Sequence, residues 1–307
     1  MTRHARRAIV AILLLCAPGP AHSQGRVSAA LTPQAALDDL LKADRGFSAA
    51  SAASDLVAGL SEMFADDVVM PIPGRLFAEG KAKVIEALRL VSDNLTARVE
   101  WTPVRGGLSA DGQHGFTLGF MTLRQPDGTR VPLKYISYWV KRPEGWRVVA
   151  YKRARRPEGD VSLDLMPPAL PARMVAASSD PAVIAGFRDS LDQAERAFSA
   201  EAQDVGLGAA FVKYGSADAI NMGDANSPGF VVGSENIGRT VSAGQPATGS
   251  SLSWAPDRVI VASSGDLGVT IGVIHPNAPA SDGSQGFPFF TIWRRASPSA
   301  PWRYVAE

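Results

Sequence analysis

The chain has 307 residues, of which 46% are hydrophobic and 20% charged, so it is long enough for two globular domains with their own cores. Lys and Arg number 31 against 30 Asp and Glu. This balance leaves no excess positive charge to hold a phosphate backbone, so we expect no nucleic-acid partner.

Residues 1–23 have the pattern of a secretory signal peptide. Three arginines precede an apolar run of about ten residues, and Ala21 and Ser23 supply the small residues of a cleavage site. A membrane-spanning helix needs roughly 20 apolar residues, so we expect no membrane span. The pattern predicts cleavage close to Ser23/Gln24 and a mature protein in the periplasm or outside the cell.

Cleavage at that point removes the only cysteine of the chain. It leaves 28 basic and 30 acidic residues, a formal charge of −2, and two histidines, His114 and His275. Without cysteine there is no disulfide, and one histidine in each half does not make a zinc site of the usual Cys/His type. We therefore expect no metal and no cofactor.

The first half of the mature chain reads as helices followed by strands. Thr32 is a helix cap with Pro33 at the first helical position, and Ser54 is placed to cap a second helix that ends at Phe64. A short extended piece at 67–72 and a third helix at 81–91 follow. Turn signals then separate four predicted strands, at 97–109, 115–124, 130–142 and 146–153.

The second half repeats the first. Ala43–Ser48 recurs as Ala194–Ser199, and all six tryptophans fall into three pairs that keep the same order in both halves. The same plan of elements follows. We expect helices at 182–202, 205–214 and 234–242, and strands at 252–264, 267–275, 286–296 and 301–307.

A proline-rich segment at 157–181 separates the two copies, which we place at 32–156 and 182–307. Its composition resists both helix formation and sheet pairing, so it predicts a linker. The basic run just before it, residues 152–156, is either a contact for a polyanion or a solvated strand end. The solvated strand end is the simpler interpretation.

Helices followed by antiparallel strands predict an α+β domain in which about three helices cover one face of a curved sheet. Several motifs of the first copy, together with its strand pattern, resemble a known superfamily. These motifs are 43–48, 64–68, 101–103, 127–128, 134–139 and 145–149. Each copy resembles a nuclear transport factor 2-like domain, the cone-shaped fold of SnoaL-like polyketide cyclases and ketosteroid isomerases. The likeness is greatest to the exported branch of that superfamily, and the second copy is more diverged.

The resemblance implies two tandem cone-shaped domains, each with a pocket, but no single activity. In the isomerase branch a carboxylate base corresponds to Ile72 of this chain, and an acidic hydrogen-bond donor corresponds to Ser137. Neither residue is an acid, so the first copy lacks the isomerase set. In the second copy the same count reaches Gly223, and the neighbouring Asp224 is a candidate base.

Two carboxylates match between the copies. Asp44 and Glu195 each lie on the apolar stripe of the first helix of their copy. A carboxylate on a buried stripe is paired or has a raised pKa. It is either an acid at the cavity wall or a structural group bonded to a sheet arginine or to the next helix.

Several polar and aromatic residues are candidates for a pocket. Tyr135 and Ser137 share a strand face with Trp139 and would offer two hydroxyls over an aromatic floor. Related domains often end the last strand in an aspartate, and that position holds Tyr151 in the first copy and Glu307 in the second. Packing in the core is the alternative for the aromatic residues.

These observations favour an exported protein that binds a small, mostly apolar molecule. Its expected ligand-binding residues are Asp44, Tyr135, Ser137, Trp139 and Tyr151. The alternative is an isomerase or hydrolase of a lipophilic substrate, with Glu195, Asp224 or Glu307 as general base. We also expect the two copies to pack sheet against sheet within one monomeric chain, with both cavities opening away from that contact.

Overall fold

The structure is a computed structural model that describes residues 32–72, 76–224, 226–278 and 286–307, so the predicted signal peptide lies outside the described residues. The first half contains three α-helices, one short 3-10 helix (Ser92–Leu95) and six strands in these ranges. The helices are α1 (Pro33–Ser51), α2 (Leu56–Met63) and α3 (Lys81–Arg89). The strands are β1 (Phe64–Pro71), β2 (Phe77–Glu79), β3 (Arg98–Leu108), β4 (His114–Arg124), β5 (Arg130–Arg142) and β6 (Gly145–Arg155).

The second half repeats this order of elements. Its helices are α4 (Pro181–Val205), α5 (Leu207–Tyr214) and α6 (Ser234–Val241). Its strands are β7 (Gly215–Asn221), β8 (Val231–Val232), β9 (Leu252–Val261), β10 (Leu267–Pro276), β11 (Phe287–Arg294) and β12 (Arg303–Ala306).

Side-chain caps fix where the helices begin. Thr32 accepts a hydrogen bond from the amide of Ala35 at 3.1 Å, as its sequence context predicts. The cap of α2 is Asp55, which accepts from the amide of Ala58 at 3.0 Å, and not the preceding Ser54. None of the helices in the described ranges is both long and apolar enough to cross a membrane.

Each half folds into one six-stranded sheet with the same strand order. The orders are β2-β1-β6-β5-β4-β3 and β8-β7-β12-β11-β10-β9. All neighbours are antiparallel except β1 with β6 and β7 with β12, which are parallel. Three helices cover one face of each sheet, and this confirms the two tandem α+β cone-shaped domains that the resemblance implies.

The concave face of each sheet and its helices enclose a core. In the first domain Leu40 of α1, Trp101 of β3 and Trp139 of β5 belong to one buried cluster. In the second domain Phe198 of α4 and Trp293 of β11 belong to the equivalent cluster. A third cluster joins the convex faces of both sheets and contains apolar residues of β4, β5, β10 and β11.

The convex faces pack against each other in a reciprocal way. Asp111, in the turn between β3 and β4, accepts from the hydroxyl of Ser263 at 2.8 Å. Asp266, in the equivalent turn between β9 and β10, accepts from the amide of Ala110 at 3.1 Å. Equivalent turns that contact each other are the signature of a twofold interface. The chain thus contains the internal, sheet-to-sheet pair that its repeat predicts.

The segment between the domains is bonded to the edge of the first sheet. The amide of Met166 donates to the carbonyl of Val104 at 2.7 Å, and Ala169 exchanges bonds with Gly106 and Leu108 at 3.0 and 3.1 Å. The sequence predicts a segment that resists sheet pairing. The amides of Met166 and Ala169 face β3 and can donate because neither residue is a proline. The proline-rich segment can therefore lie along this strand edge.

Candidate functional site

A cavity of about 390 Å³ lies in the second domain, between its helices and the concave face of its sheet. Its walls are mostly apolar and include Phe198, Phe211, Trp254 and Phe289. Six polar or charged side chains also face it, namely Lys152, Glu195, Asn221, Gln245, Thr291 and Glu307. An apolar cavity with a few convergent polar groups is the usual form of a small-molecule site.

Glu195, on α4, is completely buried and accepts three hydrogen bonds. The indoles of Trp254 and Trp293 donate to its carboxylate at 2.7 and 2.8 Å, and the hydroxyl of Thr270 donates at 2.5 Å. Burial raises the pKa of Glu195, and the three hydrogen bonds oppose this shift. Both carboxylate oxygens therefore already have protein partners.

Asp44 is in the same situation in the first domain. It is completely buried on α1 and accepts from the indole of Trp101 at 2.6 Å and from the hydroxyl of Tyr135 at 2.8 Å. Burial raises the pKa of Asp44, opposed by these two bonds. Within the described part of the chain, neither carboxylate bonds to a sheet arginine or to the next helix. Their partners are indoles and hydroxyls of the sheet.

Glu307 follows β12 and faces the cavity. Its carboxylate accepts from the side-chain amide of Asn221 at 2.5 Å. Burial raises the pKa of Glu307, and the positive charge of Lys152 opposes the shift. Glu307 and Glu195 are thus the two sequence-predicted candidates that the structure brings to one cavity.

Asp224 is placed differently. Its side chain is exposed and accepts from the hydroxyl of Ser227 at 2.7 Å and from the amide of Asn226 at 3.0 Å. The bond from Ser227 is the main reason that the pKa of Asp224 is lowered. Its neighbour Gly223 lines the cavity, but Asp224 does not. The structure therefore does not bring Asp224 together with Glu195 and Glu307.

The predicted pocket residues on β5 and β6 of the first domain are packed into its core. Tyr135, Trp139 and Tyr151 are at most 1% exposed, and they belong to the same buried cluster. The hydroxyl of Tyr151 contacts the sulfur of Met121 at 3.7 Å, and Ser137 is also fully buried. These four predicted pocket residues fill the interior of their own domain and do not line the cavity of the second.

Lys152 belongs to the basic run for which a solvated strand end is the simpler interpretation of the sequence. It belongs to β6 of the first domain, yet it lines the cavity of the second. Its ammonium group donates to the carbonyl of Phe290 at 3.3 Å and lies 4.6 Å from the centre of that ring. The cavity therefore lies beside the domain contact, and its wall includes a residue of the first domain.

A second lysine of the first domain, Lys134, contacts second-domain residues next to the cavity. Lys134 is 1% exposed and donates to the carbonyls of Met222, Ser227 and Gly229 in the second domain, the last two at 2.7 and 3.0 Å. An ammonium group has three N–H donors, and all three are used here. The first domain thus positions the chain segment that includes the cavity residue Met222.

No protein-family model matches the chain, and no curated protein does. Among solved structures, it is similar to a ketosteroid isomerase-like protein from Erwinia carotovora atroseptica, with 18% identity and a TM-score of 0.29 over 41% of this chain and 95% of the other. It is also similar to a nuclear transport factor 2-like protein of unknown function from Shewanella oneidensis, with 13% identity and a TM-score of 0.32 over 38% and 97% of the two chains. A nuclear transport factor 2-like protein with a cystatin-like fold from Novosphingobium aromaticivorans has 17% identity and a TM-score of 0.29 over 39% and 80%.

Proposed function

We propose that the chain is a non-catalytic binding protein that holds a small, mostly apolar molecule in the cavity of its second domain. The supporting observation is the cavity itself. At about 390 Å³ it is within the size range of small-molecule sites, and its wall is aromatic and aliphatic with polar groups at few points. The first domain, whose interior is filled by Tyr135, Trp139 and Tyr151, acts as its structural partner.

The direct test is binding of a neutral apolar probe, N-phenyl-1-naphthylamine, whose fluorescence rises when it leaves water. Leu252 lines the cavity, and Leu252→Trp would fill part of it. Leu90 is 67% exposed on the first domain, so Leu90→Trp is a matched control that adds the same side chain to the surface. We expect the wild type and the control to bind the probe and Leu252→Trp to lose binding.

Equal binding by all three proteins would show that the probe sits elsewhere and would remove the cavity from the proposal. Circular dichroism of each variant establishes that it is folded before binding is measured. Mass spectrometry of an organic extract of the protein, purified from its native host, then identifies the molecule that the cavity carries.

A second candidate function is catalysis, as an isomerase or hydrolase of a lipophilic substrate. Glu307 favours it, because a cavity carboxylate with a raised pKa suits a general base. Glu195 is less suited, since three donors already occupy its oxygens. Chromatography after incubation with a lipophilic unconjugated enone or an epoxide tests this function. We expect no conversion. Conversion that disappears in Glu307→Gln would replace binding by catalysis.

Export is part of the same proposal. The arginine-rich start, the short apolar run and the small residues before Gln24 support secretion directed by residues 1–23. N-terminal sequencing of the protein from its native host should find Gln24 or a close neighbour as the first residue. A cytoplasmic pool that retains Met1 would contradict export.

A further inference from the structure

The polar end of the cavity is built from both domains. Asn221 and Glu307 come from the second domain, and Lys152 comes from β6 of the first. Lys152 reaches the cavity because β6 presents it on the convex face, the face that packs against the second sheet. A single domain of this chain would therefore lack the positive charge of the site.

The ammonium group of Lys152 uses fewer of its N–H donors than that of Lys134. Lys134 gives one hydrogen bond to each of three carbonyls, which uses its whole capacity. Among the residues that the structure describes, Lys152 gives one bond, at 3.3 Å, to the carbonyl of Phe290. Two of its three N–H groups are therefore available at the cavity wall. Lys134 holds the two domains together, whereas Lys152 can also bind something in the cavity.

Lys152 and Glu307 face the same cavity without touching. They act on each other electrostatically, but they form no direct ion pair. Asn221 occupies one oxygen of the Glu307 carboxylate. A space with a cationic donor on one side and an anionic acceptor on the other is complementary to a group that both accepts and donates.

A hydroxyl group meets this requirement. It accepts a hydrogen bond from the ammonium group of Lys152 and donates its own proton to the carboxylate of Glu307. A ligand carboxylate would be repelled by Glu307, and a ligand ammonium would be repelled by Lys152. The charges of Lys152 and Glu307 cancel at this end of the cavity, and Glu195, the other acid of the wall, has both oxygens occupied by protein donors. This end therefore favours an uncharged ligand in surroundings where an unbalanced charge is costly.

We infer that the cavity selects uncharged, mostly apolar molecules that carry a hydroxyl group, and that Lys152 of the first domain and Glu307 of the second determine this specificity. The inference rests on the proposed binding function and adds the ligand class and the contribution of the first domain.

Four naphthalene derivatives of similar size test the inference by equilibrium dialysis at neutral pH. They are 2-naphthol, 2-methylnaphthalene, 2-naphthoate and the 2-naphthylmethylammonium ion. We expect wild type to bind 2-naphthol about ten-fold more tightly than 2-methylnaphthalene, because it gains hydrogen bonds to charged groups. Both charged compounds should bind more weakly than 2-naphthol.

Variants then separate the two charges. Lys152→Met should weaken 2-naphthol by about ten-fold, leave 2-methylnaphthalene unchanged and improve binding of the ammonium compound. Glu307→Gln should improve binding of 2-naphthoate instead. Lys141→Met is the matched control, since Lys141 pairs with Asp39 on the surface of the first domain, and it should change none of the four affinities. If Lys152→Met does not fold, Lys152→Gln removes the charge and keeps a donor.

The outcomes distinguish this inference from the function on which it rests. If 2-methylnaphthalene and 2-naphthol bind equally well, or if Lys152→Met and Lys152→Gln weaken all four compounds alike, the cavity binds apolar molecules but the specificity is overturned. If wild type binds neither these compounds nor N-phenyl-1-naphthylamine, the proposed function fails and the inference fails with it.

Discussion

The buried carboxylates Asp44 and Glu195 allow one prediction to be worked out from the structure, using each domain as the control for the other. We consider the amide variants Asp44→Asn and Glu195→Gln. An amide keeps the shape of the side chain but replaces one acceptor oxygen by a donor NH₂ group. In each site that NH₂ group would face an indole or hydroxyl donor.

The expected loss is the same in both domains. In Glu195→Gln the remaining oxygen can keep the bonds from Thr270 and Trp293, which share one carboxylate oxygen, and the bond from Trp254 is lost. In Asp44→Asn one of the two bonds is lost in the same way. A buried donor without a partner costs about 1 to 3 kcal/mol, so each variant should lose about that much unfolding free energy.

The loss should also depend on pH. Burial raises the pKa of both carboxyl groups, so the folded protein binds their protons more readily than the unfolded chain does. The resulting stabilisation is full below the ordinary carboxyl pKa and is lost as the pH rises through the raised pKa. The amides do not titrate. The difference between wild type and variant should therefore be larger in acid than at neutral pH.

Urea unfolding at several pH values measures both effects, and Asp192→Asn is a suitable control. Asp192 lies on α4 with Glu195 but pairs with Arg196 at the surface, so its replacement should change stability by less than about 0.5 kcal/mol. Unchanged unfolding in both amide variants would refute the reasoning and mean that the two carboxylates are solvated. Unchanged stability of Glu195→Gln together with lost probe binding would instead make Glu195 a functional group.

The remaining predictions concern the domain contact and Glu307. Lys134→Met should lower the unfolding free energy by about 3 kcal/mol, since three carbonyls lose a charged donor; urea unfolding measures this. Burial raises the pKa of Glu307 to about 7, so the stabilisation that this carboxyl group contributes is lost as the pH rises through that pKa. Glu307→Gln should therefore make the unfolding free energy depend less on pH in a series of unfolding curves. Glu307→Tyr should abolish binding of N-phenyl-1-naphthylamine by filling the polar end of the cavity. Light scattering should give the mass of a single chain, and a stable mass of two chains at micromolar concentration would contradict the internal pair as the sole assembly.

Local patterns in the sequence were sufficient to predict most of the fold. A capping residue and apolar periodicity predict α1, the turn signals predict the long strands of the first sheet, and the internal repeat predicts α4 and the long strands of the second sheet. The edge strands β2 and β8 escape prediction because two or three residues carry no periodicity. The path of the segment before α4 also escapes, because its backbone bonds to β3 depend on tertiary contact and leave no pattern in the side chains.

The site was less predictable. The positions of Asp44 and Glu195 on an apolar stripe predict their burial, and the position of Glu307 at the end of the last strand marks it as a candidate. The apolar periodicity does not predict which domain contains a cavity. It indicates which side chains point inward, but not whether they fill the space between them. The role of Lys152 depends on the neighbouring domain, so nothing local to its own strand could indicate it.

The duplication separates structural from functional residues in a way that one domain alone would not. Asp44 and Glu195 have equivalent indole partners, although the interior of one domain is packed and the other contains a cavity. Because both interiors contain this buried carboxylate with its indole donor, we explain it by its contribution to the stability of the fold. Tyr151 and Glu307 occupy equivalent positions but differ: the ring of Tyr151 packs 5.5 Å from that of Phe64, whereas Glu307 faces open space. The proposed difference in function between the domains depends on positions such as this one, where the first domain has a large aromatic side chain and the second a smaller charged one.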